Sequence, residues 1–101
     1  MRDIVKKVQE WSTARGLSMC DGFSSQIPKL KEELLDELIP ALEREDWHEI
    51  IDGIGDIQVV LIVMCQQLAI DYDTCLEIAY NVIKNRKGKL VNGIFVKESE
   101  G

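Results

Sequence analysis

The stretch running from Asp46 to Leu68 limits the fold more than any other part of the chain. Ile50, Ile54, Ile57, Leu61, Met64 and Leu68 recur at helical spacing and, at about 100° per residue, form one apolar stripe. Val59 and Val63 fall on a different face, which continues toward the N-terminus as Asp52 and Asp56. A helix apolar on two sides is buried on two sides, here expected against its own bundle and against another subunit. Two carboxylates four residues apart at the edge of a buried seam repel one another and need partners. Ten of the twenty-five residues from Glu32 to Asp56 are carboxylates, offset only by Arg44. A divalent cation is the simplest compensation, and carboxylate oxygens suit Mg²⁺ or Mn²⁺.

The remaining chain reads as further helices joined by short connections. A first amphipathic helix is expected from about Arg2 to Arg15, with Ile4, Val8 and Trp11 at helical spacing. A loop follows, and Ser24 or Ser25 is expected to cap a second helix over about Gln26 to Arg44, with Pro28 in its first turn. On that helix Glu33 and Glu37 lie at the border of the apolar stripe, while Glu32 and Asp36 point away from it. Asp46 and Glu49 have the spacing of a capping box for the third helix, which runs to about Ala69. Thr74 and Glu77 have the same spacing for a fourth, ending near Lys87 before Gly88. The tail, residues 88–101, allows one short hairpin around Asn92-Gly93. The expectation is a single all-α domain over residues 1–101, a four-helix bundle with a helical core over about 2–87.

The net charge of −6 argues against a nucleic-acid partner, which calls for a basic face. It does not argue against a nucleotide bound through metal ions. The most apolar run, Ile57 to Cys65, is too short to span a bilayer. Three cysteines without CxxC spacing suggest free thiols, and charged residues follow Met1 directly, so a cytoplasmic location without a signal peptide is expected. The run KNRKGK, Lys84 to Lys89, suits either the C-terminus of a helix or a clamp on phosphate oxygens.

The segments EELLDELIPAL, EIIDGIGDIQVVL and LEIAYNVIKNRKGKLVNGIFVKE together resemble the MazG-like all-α nucleoside triphosphate pyrophosphohydrolases, most of all the short type common in phages and mobile elements. The likeness runs from about Ile4 to Lys97 and includes EWSTARGL around Trp11. It implies hydrolysis of a nucleoside or deoxynucleoside triphosphate to monophosphate and pyrophosphate, in nucleotide-pool control, by a homodimer or homotetramer. It also implies Mg²⁺ held by carboxylates of two antiparallel helices, with Glu33, Glu37, Asp52 and Asp56 as the metal set. Glu33 or Glu49 would be the general base, Glu49 or Glu32 a reserve ligand. Asn81, Lys84, Arg86 and Lys87 match phosphate-contact positions, and Trp11 is a candidate for stacking on a base.

Two departures from the family pattern stand out. EELLDEL has one residue too many, so alignment from the left selects Glu32, Glu33 and Asp36, whereas alignment from the right selects Glu33 and Glu37. An extra residue can be absorbed as a local helical bulge that rotates the face, and Pro40 points to such a disturbance. Gly53 stands where many relatives carry a glutamate. Two rival readings follow: a catalytically weak or inactive module that binds nucleotide or protein, and a phosphohydrolase of different substrate, such as phosphoribosyl-ATP.

Overall fold

The computed structural model describes residues 3–98. Helix α1, Ile4–Ala14, is followed by a 3₁₀ turn at Leu17–Met19. Helix α2, Ile27–Lys31, continues into a π-helical segment, Glu32–Leu38, and then α3, Ile39–Glu43. These three form one unbroken rod over residues 27–43. Helix α4 is Trp47–Gln67 and α5 is Tyr72–Ile83. Strands β1, Gly88–Val91, and β2, Ile94–Lys97, make an antiparallel hairpin. Four helical rods and a small hairpin match the expected all-α architecture; the expected start at Arg2 lies outside the described residues.

Most helix ends lie where the sequence put them, but some caps differ. Asp46 accepts a hydrogen bond from the Glu49 N–H at 3.3 Å and starts α4 as expected. The fourth helix is capped by Asp71 rather than Thr74. The Asp71 carboxylate accepts from both the N–H and the hydroxyl of Thr74, at 3.0 and 2.9 Å. Aspartate two residues into a turn outcompetes the threonine because one carboxylate serves both donors. Neither Ser24 nor Ser25 caps α2. Both close a turn onto the Asp21 carbonyl, and Gln26 occupies the cap position. Helix α4 ends when Ala69 adopts a left-handed φ of 57° and the Ile70 N–H bonds back to the Cys65 carbonyl. Helix α5 stops at Ile83, four residues short of Lys87. At the hairpin, Asn92 and Gly93 both take positive φ, as a two-residue turn between twisted strands requires.

Helix α4 is the axis of the fold. Its C-terminal half holds α1 through Gln66, whose amide donates to the Gln9 carbonyl at 3.1 Å and to the Thr13 hydroxyl at 3.3 Å. Gln67 ties down the following loop by donating to the Leu17 carbonyl and accepting from the Ser25 hydroxyl, at 2.9 and 2.8 Å. The rod 27–43 lies antiparallel to the N-terminal half of α4. The buried apolar side chains are few: Ala41, Ile50, Val60, Ile62 and Val63. Both faces of α4 contribute to this core: Ile50 of the first stripe is 6% exposed, and Gly53, Val60 and Val63 turn inward beside the half-buried Asp56, whereas Ile54 stays 49% exposed. The rod packs on the inward face with Leu38 against Gly53.

Helix α5 leaves α4 at 105°. Neither it nor the hairpin contains a buried residue, and Leu76, Ile78, Leu90, Ile94 and Phe95 are all more than half exposed. The radius of gyration is 16.3 Å, whereas a compact chain of this length has about 13 Å. No helix among the described residues is long and apolar enough to cross a membrane.

Two substitutions probe the α4 axis in opposite directions. The Ser12 hydroxyl is fully buried against α4 with no hydrogen-bond partner. Ser12→Ala removes that orphan and is expected to stabilise by about 1 kcal/mol. Gln67→Ala removes two long-range hydrogen bonds and is expected to cost about 1–2 kcal/mol. Thermal midpoints at one fixed protein concentration check both signs.

Candidate active site

The site is built where the rod 27–43 crosses α4. In an α-helix Pro40 would deprive a carbonyl of its donor and press its ring against the preceding turn. Here the chain widens first. The Ile39 N–H reaches the carbonyl of Leu34, five residues back, and the seven residues of EELLDEL form the π-helical segment. The extra residue of the sequence is therefore absorbed as a bulge, and the bulge sets the face. With a five-residue hydrogen-bond spacing, Glu33 and Leu38 come onto one side, toward α4.

On α4 the facing residues are Gly53 and Asp56. A Cβ at Gly53 would lie 3.3 Å from the Cβ and Cδ1 of Leu38, tighter than ordinary van der Waals contact. A side chain at position 53 would require Leu38 to give by a few tenths of an ångström. One turn further along, Glu33 meets Asp56. The Glu33 side chain is only 9% exposed. Asp56, half-buried, has its carboxyl pushed above the ordinary value of 3.8, first by burial and then by the negative charges of Asp52 and Glu33, with a further contribution from contact with the Glu33 carboxyl. Lys29 opposes this shift from across the seam.

Lys29 is the residue that sequence reasoning missed. Its ammonium sits 3.0 Å from a Glu32 oxygen and 3.2 Å from a Glu33 oxygen. Hydrogen bonds to Glu32 and then Glu33 hold its proton more tightly than usual. The signal was available as the three- and four-residue spacings to Glu32 and Glu33.

The structure thus brings together Glu33, Asp52 and Asp56 of the expected metal set. Glu37 is exposed on the π-helical segment, as are Glu32 and Asp36. Glu33, common to both readings of EELLDEL, is the one residue of that stretch that is buried. Glu49 is half-buried in the first turn of α4, one turn before Asp52. Among the described residues no three His, Cys, Asp or Glu side chains converge into a ready-made metal cage. The donor chemistry nevertheless fits a divalent cation. A carboxylate withdrawn from water faces a second one whose ionisation is opposed, and a cation would relieve both.

The other candidate residues lie elsewhere. Trp11 is on α1, which docks at the far end of α4, and the Arg15 guanidinium covers its ring at 4.6 Å. Asn81, Lys84, Arg86 and Lys87 lie at the end of α5 or just beyond it, and all are exposed. A cleft of about 430 Å³ there is lined by Lys87, Gly88, Lys89, Val96, Lys97 and Glu98, and by none of the seam carboxylates. Burial, then the neighbouring Cys75 thiol, raises the Cys65 thiol above its ordinary value, which keeps it protonated rather than nucleophilic.

The sequence model of the phosphoribosyl-ATP pyrophosphohydrolase family matches residues 1–81, which contain the whole carboxylate seam. The chain belongs to that family. No curated protein and no solved structure matches it. Family membership makes it a nucleotide pyrophosphohydrolase of the MazG-like all-α superfamily. Lys84, Arg86, Lys87 and the hairpin lie beyond the matched residues.

The Asp56 shift has a stability consequence for this pyrophosphohydrolase. A carboxyl whose folded pKa is raised favours the native state while protonated, and that contribution is lost as pH rises from 3.8 through the folded value. In metal-free protein, Asp56→Asn is therefore expected to raise the thermal midpoint at pH 7 relative to wild type. The advantage should vanish near pH 3. Thermal scans in chelator across that range measure it.

Proposed function

We propose that this protein is a divalent-metal-dependent pyrophosphohydrolase that cleaves a nucleoside or deoxynucleoside triphosphate to monophosphate and pyrophosphate, serving nucleotide-pool control. The observation that carries the reading is Glu33, withdrawn from water and facing Asp56 across the helix crossing. Glu33, Asp52 and Asp56 would hold Mg²⁺ or Mn²⁺, with Glu37 able to join from the exposed flank. The metal would supply charge neutralisation at the polyphosphate and acidify a water. Glu49 is the reserve ligand, or the base that takes the proton of the attacking water. Asp52, exposed at the mouth of the seam, is placed to meet substrate first.

The active unit is a homodimer or homotetramer, and two observations support this. The apolar surfaces of α5, the hairpin and the Trp47–Ile51–Ile54 side of α4 have no cover within the chain. The basic end of α5 is also out of reach of its own carboxylates. At ~1.5 Å per residue along α4 and α5, and with a 105° bend between them, Lys84 stands on the order of 20 Å from Asp56. That exceeds the length of a triphosphate. A second copy packed on the apolar surface would bring the Asn81, Lys84, Arg86 and Lys87 group of one chain toward the carboxylates of the other. The substrate is then gripped from two chains.

The family description favours one further reading, in which the substrate is phosphoribosyl-ATP. The same carboxylate chemistry serves either substrate. A panel of ribo- and deoxyribonucleoside triphosphates together with phosphoribosyl-ATP, assayed for pyrophosphate release with Mg²⁺ and with Mn²⁺, decides between them. Changes behind metal ligands already cost about 10–100-fold, so Asp56→Ala is expected to lose at least that much. Turnover of phosphoribosyl-ATP alone would replace the triphosphate reading. No turnover of anything by a folded oligomer would leave a binding module. Sedimentation should give a dimer or tetramer, and a monodisperse monomer would remove the two-chain grip.

A further inference from the structure

Among the described residues, Lys29 is the one cation paired with a carboxylate of the seam. Its ammonium lies 3.0 Å from Glu32 Oε1 and 3.2 Å from Glu33 Oε1. The three partners differ in their access to water. Lys29 and Glu32 side chains are about half exposed, at 52% and 51%, whereas Glu33 is 9% exposed. Glu32 can satisfy itself with solvent. Glu33 cannot, and Lys29 is its only ion-pair partner among the described residues. A buried carboxylate facing two further acids is unfavourable without such a partner. The Glu33 oxygen used by Lys29 belongs to the same carboxylate that a divalent cation would need. The two cations therefore draw on one acceptor. Lysine suits a partner that must leave: its ammonium is a compact charge on a flexible four-carbon stem, and half of that stem is already in water.

We propose that Lys29 is a built-in counter-ion, holding Glu33 in place in the metal-free chain and displaced into solvent when a divalent cation binds. It is a positioning residue that acts through Glu33. The proposal rests on the reading of Glu33, Asp52 and Asp56 as a metal site. It accounts for how a seam of carboxylates stays folded before metal arrives. It also predicts that the chain lowers its own metal affinity.

The test uses full-length, chelator-stripped protein without nucleotide. Mg²⁺ and Mn²⁺ binding is measured by titration calorimetry, and the metal-free thermal midpoint is measured alongside. Lys29→Met keeps the stem and removes the charge. Its affinity for both ions is expected to rise about fivefold, on the scale of partly exposed ion pairs, while its metal-free midpoint falls. Lys29→Arg grips a carboxylate with a fixed fork, so it is expected to keep the midpoint and to bind the ions no more tightly than wild type. Ion binding that is unchanged or weaker in Lys29→Met would overturn the counter-ion role and leave the metal reading standing. A metal-free midpoint that does not fall would also overturn it. No ion binding by wild type or by Lys29→Met would overturn both the proposal and the metal site. Binding by Lys29→Met alone would support both.

Discussion

The carboxylate seam depends on how closely the rod 27–43 lies against α4. Leu38 packs against the bare backbone of Gly53 at that crossing. Three residues along α4 and five along the π-helical segment, the same crossing places Glu33 against Asp56. The apolar contact and the acidic contact are therefore one piece of geometry. Packing at Leu38 supplies the favourable burial that holds two carboxylates together against their repulsion. The π-helical winding is what makes the two contacts compatible, because a regular α-helix would not put residues five apart on one face.

The acidic seam is internal to one chain, whereas much of the chain's apolar surface is left uncovered. Its buried core is small, and its last two elements extend from the end of α4 with their apolar side chains in water. Large exposed apolar area on a small domain marks an interaction surface. The charge distribution points the same way. The acids cluster at the helix crossing, the bases cluster beyond the end of α5, and the 105° bend separates them. The proposed polyphosphate substrate needs both, which is the reason a second copy is proposed to complete the site.

Lys29 adds a second layer to the electrostatics of the seam. Under the proposed metal reading the seam must exist for some time without a cation, and an uncompensated carboxylate in that position weakens the fold. A half-exposed lysine one turn away stabilises Glu33 while remaining removable. The cost is competition with the metal, so affinity and metal-free stability are set against each other by a single side chain.

The sequence by itself determined the helices, the hairpin turn, the Asp46 cap and the two-faced character of α4, because periodicity and turn chemistry are local properties. It also located the disturbance at EELLDEL, since an extra residue followed by proline has few local solutions. It favoured Glu33 and Glu37 on a helical wheel, which assumes a constant angle per residue, and the π-helical segment breaks that assumption: Glu33 is buried and Glu37 exposed. It noted a missing carboxylate at Gly53 but not the packing of Leu38 against that position. It passed over Lys29. Which face turns inward, which carboxylate is withdrawn from water and which cation answers it are decided by one helix closing on another, and no single helix carries that information.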